Sequence, residues 1–229
     1  LKLKGSTRSV RSASSGAMGV DMFFSPSEKD HLGQWSEEAV DRSLIGRVFS
    51  GSFDYLVGHV PEQVAPSVIS LAGAFAVFQA WYLSGSYGSV VRPETVSFVA
   101  AALVVVFYVC RSLDSRHAAR MLTDTAMTRL FGYACDLVSA VFLTNLVCGS
   151  LLAFGLEAQW FCVQTVQQVL LLKHYSAWVR GESLRYTLIG PGEVLGLAVA
   201  MLAVRGAYGV ERLQQAFGFA SGVYGGVQL

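Results

Sequence analysis

The sequence is poor in charged residues and lacks the patterns that stabilise small soluble domains. Charged side chains make up 14% of its 229 residues and hydrophobic ones 53%, whereas a soluble domain carries about 25% charged residues. Its four cysteines form no C-x-x-C pair, so neither a disulfide framework nor a zinc site is predicted. A net charge of +1 provides no basic field for nucleic acid. The low content of charged residues and the absence of cysteine pairs and of a basic field exclude a soluble or nucleic-acid-binding domain. They predict an integral membrane protein.

Acidic residues are absent from the first 20 positions, which contain four basic residues and five serines. This composition is typical of a mitochondrial presequence, and equally of a solvated tail. No apolar segment follows these charges, which argues against a secretory signal peptide. We therefore divide the chain into a basic, serine-rich tail (1–35), a membrane domain (36–205) and a glycine-rich C-terminal tail (206–229).

Uncharged runs predict the membrane spans, since about 20 helical residues cross a hydrocarbon core. Three long runs cover residues 65–83, 95–110 and 137–156, and two shorter runs cover 158–172 and 194–204. The run over 158–172 contains four glutamines, so we expect it to face protein or a cavity rather than lipid. The predicted fold class is an all-α integral membrane protein with about five transmembrane helices.

Charge placement predicts how these spans are oriented. Apolar residues at helical spacing over 36–57 predict an N-terminal amphipathic helix that starts near Ser36 and lies in the membrane interface. Basic residues are concentrated in two loops, with Arg111, Arg116, Arg120 and Arg129 in the first and Lys173, Arg180 and Arg185 in the second. By the positive-inside rule, both loops, the tail and the amphipathic helix share the cytoplasmic or matrix face.

Three stretches, in order, resemble the choline/ethanolamine phosphotransferase branch of the CDP-alcohol phosphotransferase family. They are VAPSVIS at 64–70, LDSRHAARMLTDTAMTRLFGYACDLV at 113–138 and HYSAWVRGESLRYTLIGPGE at 174–193. The resemblance covers roughly residues 40–205 and implies the N-terminal half of the family's fold. Because enzymes of this branch continue with further spans, we interpret the chain as a truncated member.

The resemblance implies a reaction and a metal site. Enzymes of the family transfer a phosphoalcohol from CDP to a lipid hydroxyl, here diacylglycerol. Their signature reads D-x-x-D-G-x-x-A-R, followed by G-x-x-x-D-x-x-x-D. Its four aspartates hold two divalent metals, and the last one also serves as a base on the acceptor alcohol.

Only part of this signature is retained. Its second and fourth aspartates fall on Asp114 and Asp136, while the first and third fall on Arg111 and Gly132. The other departures are Ser115 and Thr128 for the two glycines, Ala119 for the arginine and Tyr133 for the branch's histidine. A guanidinium in place of a ligand would repel metal cations. We therefore predict an inactive site without metal or cofactor, in which Asp114 and Asp136 form ion pairs with Arg111 and Arg120.

Several functions remain open at this stage. We interpret the chain as a structural accessory subunit of a mitochondrial inner-membrane complex, such as ATP synthase or a respiratory complex. Arg116, Arg120 and Lys173 are candidate ligands for an anionic lipid such as cardiolipin, or charges that only set topology. The main alternative is an active choline/ethanolamine phosphotransferase of the endoplasmic reticulum, with Mg or Mn at Asp114 and Asp136. A third is a free lipid-binding or scramblase-like protein.

Overall fold

The described part of the chain is helical apart from one short strand pair. The computed structural model describes residues 40–41, 44–86, 92–121, 125–150, 155–180, 185–186 and 190–209. Its helices are α1 (Leu44–His59), α2 (Pro66–Ser86), α3 (Pro93–Arg120), α4 (Ala126–Ser150), α5 (Leu156–Arg180) and α6 (Pro191–Tyr208). Strand β1 (Val40–Asp41) pairs in parallel with β2 (Arg185–Tyr186). This confirms the all-α prediction. The tail at 1–35 and residues 210–229 lie outside the described residues.

Three helices have the length and hydropathy needed to cross a membrane. They are Pro66–Ser86, Pro93–Arg120 and Met127–Gly149, which coincide with the three long uncharged runs. The predicted count of about five spans is not confirmed by this criterion. Helices α5 and α6 form where the two shorter runs lie, but the glutamines of α5 lower its hydropathy. Helix α6 is 18 residues long and carries Glu193 and Arg205.

Helix α3 is the centre of the bundle. Helices α2 and α6 pack along it, α4 packs on α2, and α5 packs on α4. The core consists mainly of small and branched side chains, namely Val77, Ala80, Ala100, Ala101, Val104, Phe107, Leu146, Leu195 and Leu202. Small residues let helix backbones approach closely, which is how helices associate in lipid.

Two glycines of α6 fix its close approach to α3. A Cβ atom at Gly192 would lie 2.9 Å from the Tyr108 hydroxyl oxygen, and one at Gly206 would lie 2.9 Å from the Phe98 ring. Because the start of α6 meets Tyr108 in the middle of α3 while the end of α6 meets Phe98 near the start of α3, the two helices run antiparallel. Helix α6 therefore passes alongside a candidate membrane span.

Helix α1 rests on the ends of α3 and α6. Its Phe53 is 5% exposed and meets the Tyr108 ring edge-on, with centroids 5.7 Å apart. Leu44, Val48 and Tyr55 are exposed. An apolar outer surface beside a packed inner one suits a helix in the membrane interface.

The start of α1 differs from the prediction. The helix begins at Leu44 rather than near Ser36, because Val40 and Asp41 are extended and pair with β2. Residues 36–39 lie outside the described residues.

The Glu193 carboxylate connects the first turns of α1 and α6. Its Oε1 accepts the Ile45 N–H at 3.1 Å, and its Oε2 accepts the Gly190 N–H at 2.7 Å. Burial disfavours the charged form, but these backbone donors outweigh it and hold the pKa of Glu193 below its usual range. The ionised side chain thus stabilises the docked position of α1.

We expect Glu193→Gln to loosen α1, because an amide nitrogen cannot accept one of the two N–H groups. Hydrogen–deuterium exchange of α1 amides should accelerate, whereas Glu157→Gln, at an exposed glutamate in the first turn of α5, should leave it unchanged. The pKa of Glu193 is lower in the folded state than its unfolded value of about 4.3. The ionised carboxylate therefore stabilises the folded state fully above about pH 4.3. In the wild type, this stabilisation is lost as the pH falls through the lower pKa that Glu193 has in the folded state. Unchanged exchange in Glu193→Gln would refute this role.

Candidate functional site

The Arg111 side chain lies between the two retained aspartates of the signature. Its Nε donates to Asp136, with the carboxylate oxygens at 2.7 and 2.8 Å. Its Nη1 lies 3.7 Å from Asp114 Oδ2, one helical turn along α3. The guanidinium therefore supplies the positive charge that both carboxylates face. The predicted ion-pair network forms around Arg111.

Asp114 extends this network to a third helix. Asp114 is 6% exposed, and its Oδ2 accepts a 2.6 Å hydrogen bond from the Ser70 hydroxyl on α2. Since Arg111 also pairs with Asp136 on α4, the group links α2, α3 and α4. Buried charges are tolerated when they are paired and hydrogen-bonded in this way.

A cavity opens beside this network. It has about 310 Å³ of empty volume, part of it open to solvent, and is lined by Arg111, Asp114, Ser115, Ala118, Thr128, Arg129, Gly132 and Tyr133. All of these residues except Arg129 fall on positions singled out by the sequence resemblance. A Cβ atom at Gly132 would lie 3.6 Å from Asp114 Oδ2. An aspartate there would thus have its carboxylate close to that of Asp114.

The donor set of this cavity does not fit two divalent metals. Such metals need several hard oxygen ligands, but the two available carboxylates are paired with a guanidinium. Among the residues that the structure describes, no group of three or more His, Cys, Asp or Glu side chains is placed to hold a metal. Arg111 holds the positive charge at the position where the signature has its first metal-binding aspartate.

Arg116 and Arg120 are used at the interface with α1. Arg116 pairs with Asp54 and lies 5.7 Å from the Phe53 ring centroid. Arg120 donates to the Val57 carbonyl at 2.8 Å. Its expected place in the network with Asp114 and Asp136 is therefore wrong, because α1 and the following turn provide nearer acceptors.

Lys173, the third candidate lipid ligand, lies on α5. The ring of its neighbour His174 packs against that of Tyr133 on α4, with centroids 4.1 Å apart and the planes tilted by 30°. The three basic residues thus lie at the same end of the bundle but on different packing surfaces. Lipid binding at these residues remains a prediction.

Two polar contacts position this region, of which sequence reasoning missed the one made by Ser70. The Ser70 hydroxyl was not expected to bind Asp114, although Ser70 lies in one of the three stretches that carry the resemblance. His117 is fully buried, and its Nε2 contacts the Val64 carbonyl at 2.8 Å, just before α2.

The described helices form the bundle of a membrane protein, in which residues 111–136 partly resemble a CDP-alcohol phosphotransferase signature. No family model matches the chain. It is 26% identical over 182 residues to cholinephosphotransferase 1 of Danio rerio, covering 75% of this chain and 46% of that protein. It is 23% identical over 191 residues to CDP-diacylglycerol–serine O-phosphatidyltransferase of Encephalitozoon cuniculi, covering 82% and 48%.

A second cholinephosphotransferase 1, from Gallus gallus, is 26% identical over 191 residues, covering 80% of this chain and 56% of that protein. The chain spans about half the length of the curated relatives it matches. These similarities relate the chain to the CDP-alcohol phosphotransferase family.

We predict that Arg111→Ala destabilises the bundle, because it removes the guanidinium that is paired with both Asp114 and Asp136. Removing one member of a buried ion pair costs about 3–5 kcal/mol. We expect the lower end, about 3 kcal/mol, because the Arg111 side chain is 31% exposed. Thermal unfolding in detergent measures this loss.

A matched control and a double variant make the test specific. Arg116→Ala removes an exposed pair with Asp54, worth about 0–1 kcal/mol, and a contact with the Phe53 ring, worth about 0.5–1 kcal/mol. Arg111→Ala combined with Asp136→Ala should cost less than the sum of the two single changes, since the coupling is lost only once. Additive losses would contradict a direct Arg111–Asp136 interaction.

Proposed function

We propose that this chain is a catalytically inactive CDP-alcohol phosphotransferase-like membrane protein, in which Arg111 replaces the metal ions of the signature. The observation that carries the proposal is the contact of one guanidinium with both Asp114 and Asp136. An internal cation neutralises these carboxylates without an ion from solution. Asp136 would then serve as an ion-pair partner rather than as the base on an acceptor alcohol.

The cavity wall supports the same conclusion. Ser115 and Thr128 line the cavity at the two positions where the signature has glycine. Glycine permits a ligand to approach the backbone closely, whereas a side chain occupies that space. Both the charge and the shape of the cavity are therefore unfavourable for a metal-bound CDP-alcohol.

Transfer assays test the proposal directly. We expect no Mg- or Mn-dependent transfer from CDP-choline or CDP-ethanolamine to diacylglycerol by the purified chain. Restoring the signature carboxylates with Arg111→Asp and Gly132→Asp together should create measurable Mn²⁺ binding, detectable by calorimetry or electron paramagnetic resonance. Metal-dependent transfer by the wild type that Asp136→Ala abolishes would overturn the proposal.

The second candidate function is an active choline/ethanolamine phosphotransferase of the endoplasmic reticulum membrane. The observation in its favour is that Asp114 and Asp136 both remain next to one cavity in a chain with cholinephosphotransferase relatives. In this case Mg or Mn would have to displace Arg111 from both carboxylates. The assay above discriminates between the two functions.

A structural role in a larger assembly is the cellular function we propose. The chain would be an accessory subunit of a mitochondrial inner-membrane complex, such as ATP synthase or a respiratory complex. The acid-free, basic N-terminal segment supports mitochondrial import, and the glutamines of α5 support a protein neighbour. Anionic lipid, for example cardiolipin, would bind at Arg116, Arg120 or Lys173 near the basic end of the bundle.

Isolation of the native assembly tests this role. After extraction of mitochondria in mild detergent, we expect the chain to migrate on native gels with a large complex and to be stoichiometric with its subunits by mass spectrometry. An epitope-tagged copy should colocalise with an inner-membrane marker. Recovery in the endoplasmic reticulum fraction, without a large complex, would refute the subunit role.

A further inference from the structure

Two cysteines that are distant from each other in the sequence meet between α4 and α5. The thiol of Cys148 on α4 is a hydrogen-bond partner of the thiol of Cys162 on α5. Both are free thiols, as are the other two cysteines of the chain. Cys148 is 5% exposed, whereas Cys162 is only half-buried. The fold thus creates a dithiol pair that no C-x-x-C spacing announces.

The packing of α5 on α4 holds these two thiols against each other. Near the start of α5, the Gln159 side chain lies 3.6 Å from the position of a Cβ atom at Gly149, near the end of α4. Cys148 directly precedes Gly149. Cys162 follows Gln159 by three positions, which places both on the same face of their helix. The contact of the thiols therefore follows from the close approach of the two helices at Gly149.

The dithiol pair lies at the end of the bundle away from the basic loops. Cys148 is 19 positions after Arg129 in α4, or about 28 Å of helix. It is one position before the end of the candidate membrane span Met127–Gly149. With the basic loops on the cytoplasmic or matrix face, this end faces the other compartment. In a membrane of the endoplasmic reticulum that compartment is the lumen, where disulfides form and persist. The pair is thus close to the membrane surface, where small oxidants reach it.

We propose that Cys148 and Cys162 react with a hydroperoxide to form an intramolecular disulfide that fixes α5 on α4. The more exposed Cys162 reacts first: its sulfur attacks the hydroperoxide ROOH and becomes a sulfenic acid, while the thiol proton leaves with the alcohol ROH. The sulfur of Cys148 then attacks the sulfenic sulfur, and its proton leaves with the hydroxyl group as water. The two thiols together lose two electrons and two protons, which reduce the hydroperoxide to one alcohol and one water. This inference does not depend on whether the cavity is catalytic.

Thiol counting in native membranes tests the disulfide. Membranes are reduced with dithiothreitol, washed, and treated with hydrogen peroxide or with the lipid-soluble cumene hydroperoxide. After denaturation, maleimide–polyethylene glycol labels the remaining thiols. We expect the wild type to lose two of its four thiols with at least one of these oxidants, and mass spectrometry to recover a peptide that joins Cys148 to Cys162. The oxidant that reacts tells whether the hydroperoxide comes from water or from lipid.

Two variants make the count specific. Cys162→Ala should form no disulfide. The matched control Cys135→Ser removes a cysteine of the same helix that lies about 20 Å from Cys148, and it should still lose two thiols. Retention of every thiol with both oxidants, a sulfinic acid on Cys162 without a disulfide, or a disulfide that contains Cys110 or Cys135 would overturn the proposal.

Hydrogen–deuterium exchange measures whether the disulfide fixes α5. Helix α4 provides the main packing surface of α5, so a bond between Cys148 and Cys162 adds a covalent link to that contact. It closes a ring over residues 148–162, which removes conformational freedom from states in which α5 has separated. Amides in the first turns of α5 should exchange about ten- to a hundredfold more slowly in the oxidised wild type than in the reduced one.

The reduced wild type serves as its own reference, so this comparison does not depend on the folding of a variant. In Cys162→Ala, treatment with hydroperoxide should leave the exchange of α5 unchanged. Equal exchange in the oxidised and reduced wild type would overturn the proposal.

Discussion

The ion pairs of Arg111 are the interaction on which the arrangement of the central helices depends. A single guanidinium on α3 contacts Asp114 on its own helix and Asp136 on α4, while Ser70 adds α2 through Asp114. In a lipid environment, hydrophobic burial contributes little to the association of helices, so polar contacts and close packing specify their positions. The network therefore links α2, α3 and α4 directly beside the cavity.

The sequence predicted the main elements because lipid imposes a simple requirement on them. Long uncharged runs located α2, α3 and α4, since only helices satisfy their own backbone hydrogen bonds in a bilayer. The start of α1 was placed too early, because the pairing of Val40–Asp41 with Arg185–Tyr186 involves residues far apart in the chain. Helical spacing contains no information about such contacts. The predicted number of spans depended on the glutamines of α5. Whether these side chains face protein or lipid is decided by neighbouring helices, which helical spacing does not reveal.

Prediction of the candidate site succeeded where a residue's role follows from charge. Arg111 was expected beside Asp114 and Asp136, and this contact is present. Arg120 was assigned to the same network but binds the Val57 carbonyl instead, because the position of α1 could not be deduced from spacing. The contact of Ser70 with Asp114 was missed for a similar reason, as the two residues are brought together only by the packing of α2 on α3.

The guanidinium of Arg111 also affects how the cavity could change over evolutionary time. Gly132→Asp alone would add a third carboxylate beside the ion pairs of Arg111, and Arg111→Asp alone would leave three carboxylates without the guanidinium that pairs with Asp114 and Asp136. Each single change therefore passes through an electrostatically unfavourable intermediate unless metal binding stabilises it. A four-carboxylate site would thus need two changes, each of which is electrostatically unfavourable without the other.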